Sequence, residues 1–161
     1  MNRRFLLAAG LPLALAGCGF QLRKAPDFVF TTIFIGSAES STLGNELKRS
    51  IASGGGVTVL PLNQAQVLLD VLVDQRAKVV VGLNASGQVR EFQLRIRFRF
   101  RLRTAAGKEL IPDTELLQQR DISFNESAVL SKEAEENLLY RDMQTDIVQQ
   151  LMRRLAAVKT L

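Results

Sequence analysis

The sequence contains no histidine and a single cysteine, Cys18. The first absence excludes Ser-His-Asp triads, histidine general bases and most catalytic zinc sites. The second excludes an intramolecular disulfide. The apolar run from Phe5 to Leu15 is too short to cross a bilayer core of roughly 30 Å as a helix. Gly54-Gly55-Gly56 is followed by Val57 rather than Gly-Lys-Ser/Thr, so helix capping explains it better than phosphate binding. There is no EF-hand loop, internal repeat or low-complexity tract. Glu133, Glu135 and Glu136 cluster where a helix begins, which suits the helix dipole better than acid-base chemistry. These absences predict a protein that is not an enzyme, with no cofactor and no metal. A binding or assembly role is left.

Much of what is present lies at the N-terminus. Arg3 and Arg4 form a short positive segment, the apolar run follows, and small residues Ala16 and Gly17 precede Cys18. This is the pattern of a secretory signal rather than an anchor helix. Leu15-Ala16-Gly17-Cys18 also resembles the bacterial lipoprotein signal. That resemblance implies cleavage before Cys18 and acylation of its thiol and new amino group. A lone free thiol would be a liability in an oxidising compartment, and several acyl chains anchor where one does not. Gly19, where a retained lipoprotein would carry Asp, implies the outer membrane by the same resemblance. Cleavage would remove Arg3 and Arg4 and no other charge, lowering the formal net charge from +5 to +3. The expected organisation is a signal peptide over 1–17, a lipidated tether over 18–27 and one domain over 28–161. A mildly basic domain in that compartment does not meet nucleic acid.

Residues 90 to 103 dominate the domain. Every even position from Phe92 to Leu102 is apolar, and Arg95, Arg97, Arg99, Arg101 and Arg103 occupy the odd ones. Side chains alternate across a strand, so this period of two predicts a long strand with one face on a core and a row of guanidiniums on the other. Same-face neighbours lie about 7 Å apart by strand rise and repel unless compensated. Two readings follow. The arginines pair with acids on neighbouring strands, or they contact an anionic partner or line a polar cavity.

Around this strand, Phe28 to Ile35 predicts a strand. Ser41 or Thr42 can cap a helix carrying Leu43, Leu47 and Ile51. Val57 to Leu60 predicts a short strand parallel to the first, closing a βαβ unit. Val67 to Leu83 predicts a long strand with a bulge or twist in its polar insert Asp74 to Lys78. Asn84-Ala85-Ser86-Gly87 turns it into an antiparallel hairpin with the arginine strand. Thr114 to Phe124 predicts a further strand. Ser131 is placed to cap a last helix with the stripe Leu139, Met143, Ile147, Leu151 and Leu155.

Several stretches together resemble the LptE family of lipopolysaccharide-assembly lipoproteins, partners of the outer-membrane β-barrel LptD. They are Gly17-Cys18-Gly19-Phe20-Gln21-Leu22-Arg23, the first strand, Gly87-Gln88-Val89-Arg90-Glu91-Phe92-Gln93-Leu94 at the hairpin, and Ala128 to Glu133 with Glu136, Leu138, Met143 and Asp146. The resemblance implies an α+β sandwich, a mixed four- to five-stranded sheet packed on two helices. It implies a one-to-one complex in which the domain plugs an LptD-like barrel and aids insertion of lipopolysaccharide into the outer leaflet. It also implies contacts to lipopolysaccharide near the hairpin tip and at the start of the last helix. Lys132 matches the second position. The first falls on Asn84 or Ala85, and Arg90 is the nearest cation. The competing expectation is an outer-membrane-anchored lipoprotein that binds another envelope partner and has no role in lipopolysaccharide transport.

Overall fold

The computed structural model describes residues 27–161. Five strands form one sheet in the order β2-β1-β3-β4-β5, where β1 is Thr32–Gly36, β2 Thr58–Val59, β3 Val67–Leu83, β4 Val89–Thr104 and β5 Glu109–Ser123. Among the described residues two α-helices, α1 (Thr42–Ser53) and α2 (Val129–Ala156), accompany the sheet. β1 pairs in parallel with both β2 and β3, while β3, β4 and β5 run antiparallel. This is the mixed sheet on two helices that the sequence leads one to expect. Among the described residues no helix is long and apolar enough to cross a membrane.

β4 organises the core. Leu94, Ile96, Phe98, Phe100 and Leu102 are all at most 1 % exposed. They pack with Ile33, Ile35 and Leu69 from the sheet, Leu43, Leu47 and Ile51 from α1, and Met143, Ile147, Leu151 and Leu155 from α2. Both helices therefore cover the same face, and each apolar side chain buried there contributes about 1.5–3 kcal/mol. Ser41 caps α1, its Oγ accepting from Gly44 N at 2.8 Å. Gly55 and Gly56 take φ of 63° and 106° just past the helix end, where glycine alone is unstrained.

The observed elements differ from the sequence expectation in several places. β1 starts at Thr32 rather than Phe28, because the Thr31 amide donates to the Gln66 side chain at 2.9 Å instead of a strand. Phe30 still reaches the core, 1 % exposed. β5 starts at Glu109, before Pro112. It is an edge strand, where a missing N–H costs no ladder bond, and the register shifts opposite Phe100/Leu102. α2 starts at Val129, not at a Ser131 cap. Asn125 caps a 3-10 turn over Glu126–Ala128 instead, accepting from Ser127 N at 3.0 Å, and Ser131 Oγ donates back to Ala128 O. The polar insert of β3 is regular strand; the bulge falls at Leu72, with further shifts near Gly82.

The Leu72 bulge matters for everything that follows. Before it, Asp70 lies opposite Arg101; after it, Asp74, Arg76, Lys78 and Val80 lie opposite Phe98, Ile96, Leu94 and Phe92. One extra residue exchanges the two faces of a strand. Arg76 and Lys78 thereby join the helix-covered side, and Val73, Gln75, Ala77 and Val79 join the arginines.

Candidate functional site

The face of the sheet opposite the helices carries the arginine row. Its members do not stand alone. Arg97 Nε donates to Glu115 Oε2 at 2.7 Å. Arg99 grips Asp113 through Nε and Nη2, both at 2.8 Å. Arg101 and Arg103 share Asp70 Oδ2, at 2.9 and 2.8 Å. Arg95 differs: its Nε donates to Gln93 Oε1 at 2.7 Å, and no carboxylate pairs with it among the described residues. Beside it a groove of about 290 Å³ runs between Gln75, Ala77, Arg95, Arg97, Glu115 and Leu117. The acids come from β3 and β5, so the row of like charge seen in β4 becomes a face of mixed sign. Exposed pairs of this kind are weak and screened by solvent and salt. They fix side-chain orientation more than they stabilise the fold.

Asp70 is the junction of the row. The Arg103 hydrogen bond, assisted by Arg101 and opposed by partial burial, holds its carboxyl below the ordinary carboxylate value. A depressed folded-state value contributes stability that is present above the unfolded value and lost as pH falls through the folded one. Asp70→Asn should therefore cost roughly 1 kcal/mol at pH 7. It should also flatten the loss of stability on acidification below the ordinary aspartate value. Urea midpoints measured across that pH range check both effects; parallel curves for wild type and variant would contradict them.

A second group of charges sits at the hairpin end, where α2 begins. Lys132 Nζ donates to Ser123 Oγ at 2.9 Å and Glu135 Oε2 at 2.8 Å. Lys78 Nζ reaches Glu136 Oε2 at 2.6 Å and lies 4.3 Å from the centroid of the Phe92 ring. A small cavity of about 70 Å³ lies among Lys78, Phe92, Ile122, Phe124, Val129 and Lys132. Arg90 belongs to the same end: its carbonyl accepts from Phe124 N at 2.7 Å, and its neighbour Glu91 is the register partner of Ser123. Arg90 itself is exposed. Asn84, at the matching hairpin position, is occupied with the turn, its Oδ1 accepting from Ser86 N and Gln88 N. The sequence reading missed Lys78, because the Leu72 bulge alone brings it beneath α2. It missed Asp70, Asp113 and Glu115 as the partners of the row; the alternation Asp113, Glu115, Leu117, Gln119 and Asp121 along β5 was the available signal. Cys18 lies outside the described residues.

The chain can now be set beside known proteins. The family model for lipopolysaccharide-assembly LptE matches residues 30–155. The LPS-assembly lipoprotein LptE of Pectobacterium atrosepticum is 24 % identical over 162 residues, covering 98 % of this chain and 87 % of that protein. The solution structure of lipoprotein B from Nitrosomonas europaea aligns with a TM-score of 0.75 at 33 % identity, over 86 % of this chain and 91 % of that one. A minor lipoprotein from Acinetobacter baumannii shares the fold, with a TM-score of 0.64 at 21 % identity over 81 % and 94 % of the two chains. With the family's pattern running from two residues before β1 into the last turn of α2, the chain belongs to the LptE lipopolysaccharide-assembly family.

Proposed function

We propose that this protein is an outer-membrane lipoprotein, anchored through acylated Cys18, that seats its sheet in the lumen of an LptD-like β-barrel as a one-to-one plug and aids insertion of lipopolysaccharide into the outer leaflet. Family membership supports a role in lipopolysaccharide assembly. The observation that carries the finer reading is the uncovered face of the sheet. Both helices pack on one side, and the other presents Arg95 to Arg103 interleaved with Asp70, Asp113 and Glu115. A barrel lumen is polar and water-filled. A face of mixed, oriented charges suits such a wall, because it can pair with either sign and offers no long repulsive stripe. Guanidiniums held by one carboxylate keep further N–H groups for a second acceptor.

Lipopolysaccharide, in this reading, meets the hairpin end through Lys132, with Arg90 as the nearest hairpin cation. Lys132 shares its charge with Glu135, so its contribution to an anionic ligand is modest and screened by salt. Lys132→Asp should leave the barrel complex intact and weaken lipopolysaccharide binding several-fold at low ionic strength, with the difference shrinking as salt is added. Equal binding by both proteins at every salt concentration would remove Lys132 from the site.

The anchor has its own test. Mass spectrometry of the membrane-extracted protein should show loss of residues 1–17 and added acyl mass on Cys18. An intact N-terminus or an unmodified thiol would refute lipidation.

A further inference from the structure

Asn137, Tyr140, Arg141 and Gln144 lie three and four residues apart on α2, so they share one stripe of the helix. Gln144 is a buried polar side chain, 7 % exposed, and its amide is satisfied at both ends. Its Oε1 accepts from Thr42 Oγ1 at 2.8 Å and from Arg76; its Nε2 donates to Thr42 O at 3.3 Å and to Glu46. Arg76 Nη2 also donates to Thr42 Oγ1 at 2.7 Å, and its guanidinium stands 5.3 Å from the Tyr140 ring centroid. Arg76 is thus held in place entirely by neutral groups.

Neither Arg76 nor Arg141 has a carboxylate within ion-pairing distance among the described residues. The neighbouring acids are already engaged: Glu46 by Gln144 and Thr145, Asp74 by Ser41, and Glu136 by Lys78. Lacking an acid does not by itself set these two apart, since Arg49, Arg90, Arg95, Arg153 and Arg154 also pair with none among the described residues. What sets them apart is that both border one cleft of about 430 Å³, lined by Thr42, Arg76, Asn137, Arg141 and Gln144. That volume falls in the roughly 300–1,000 Å³ range of small-molecule sites. The lining residues are all polar, with two positive charges and no negative one.

We propose that this cleft binds a phosphate ester, with Arg76 and Arg141 on the phosphate oxygens and Asn137 on the adjoining hydroxylated part. Guanidinium forks match phosphate oxygens in pairs. Arg76 is preorganised for this by Gln144 and Thr42, so little rotamer freedom is lost on binding. The cleft lies between the two helices, away from the uncovered sheet face and from Lys132, so the inference does not rest on the plug reading. The ester can be a soluble sugar phosphate or a lipid head group; the chemistry recognised is the same.

The full-length lipidated protein, in a neutral detergent at fixed ionic strength, is titrated calorimetrically with glucose 6-phosphate and, separately, with lysophosphatidic acid. Saturable binding of at least one is expected. It should weaken about tenfold in Arg141→Gln and in Arg76→Lys, the loss expected for a charge-assisted hydrogen bond, and stay unchanged in Arg153→Gln. Binding of the sugar phosphate assigns a soluble source, and binding of the lipid alone assigns a head group. No saturable binding of either, equal binding by Arg141→Gln, or equal binding of glucuronate in place of the phosphate would overturn the proposal. Arg141 is exposed, so its variant tests the cleft even if changing Arg76 loosens the helices.

Discussion

Phe98→Asp should leave the isolated domain unfolded under conditions in which Arg99→Asp remains folded. Phe98 is 0 % exposed and its ring sits 6.1 Å from that of Phe100, centroid to centroid. Removing a buried phenyl ring costs about 3–5 kcal/mol. An unpaired carboxylate in the same place adds several more, which together reach the whole stability of an ordinary domain, about 5–15 kcal/mol. Arg99, one residue on, points to the other face and is bound by Asp113. Reversing it breaks an exposed, solvent-screened pair and sets two acids side by side, a far smaller loss than burying a charge. Circular dichroism and urea titration separate the two outcomes. Similar midpoints would mean that the alternation of β4 has been assigned to the wrong faces.

A second large effect is expected on the proposed barrel complex. Arg97→Glu with Arg99→Glu should reduce co-purification with the barrel by at least about tenfold, because two oriented cations at the centre of the uncovered face become anions. A like-charge juxtaposition in a desolvated interface costs several kcal/mol. The same change also sets acids against Glu115 and Asp113 inside the chain. A swapped variant with Asp113→Arg and Glu115→Arg added restores the internal pairs. If the barrel reads the face, the swap recovers the denaturant midpoint and not the complex. If the swap recovers both, the arginines serve only their neighbours on β5.

The strand that organises the fold was legible because its period of two runs without interruption over six apolar positions, and only a strand separates such a pattern into faces. The βαβ unit and its capping were legible for a similar reason: Ser41 and the glycine triplet are local signals, acting within one turn of chain. What escaped the sequence is non-local. The pairing of Arg101 and Arg103 with Asp70 depends on strand register, and register in β3 depends on where one extra residue is accommodated. The polar insert Asp74 to Lys78 looked like the irregularity itself. It is the consequence of a bulge at apolar Leu72, which turns those polar residues toward the helices. Pro112 hid the first third of β5, since a missing N–H argues against a strand only when that strand is flanked on both sides. Ser131 looked like a cap, yet Asn125 had already turned the chain six residues earlier. The hairpin was legible from its turn residues between two alternating stretches, Lys132 was singled out only by family resemblance, and Arg76, Arg141 and Gln144 come together only in three dimensions.

The proposed seat of this domain inside a barrel can be checked by affinity capture of the full-length chain from detergent-solubilised outer membrane, followed by native mass measurement. A one-to-one complex with a single large β-barrel protein, surviving moderate salt, is expected. Recovery of the chain alone, or with a soluble periplasmic protein in place of the barrel, would contradict it.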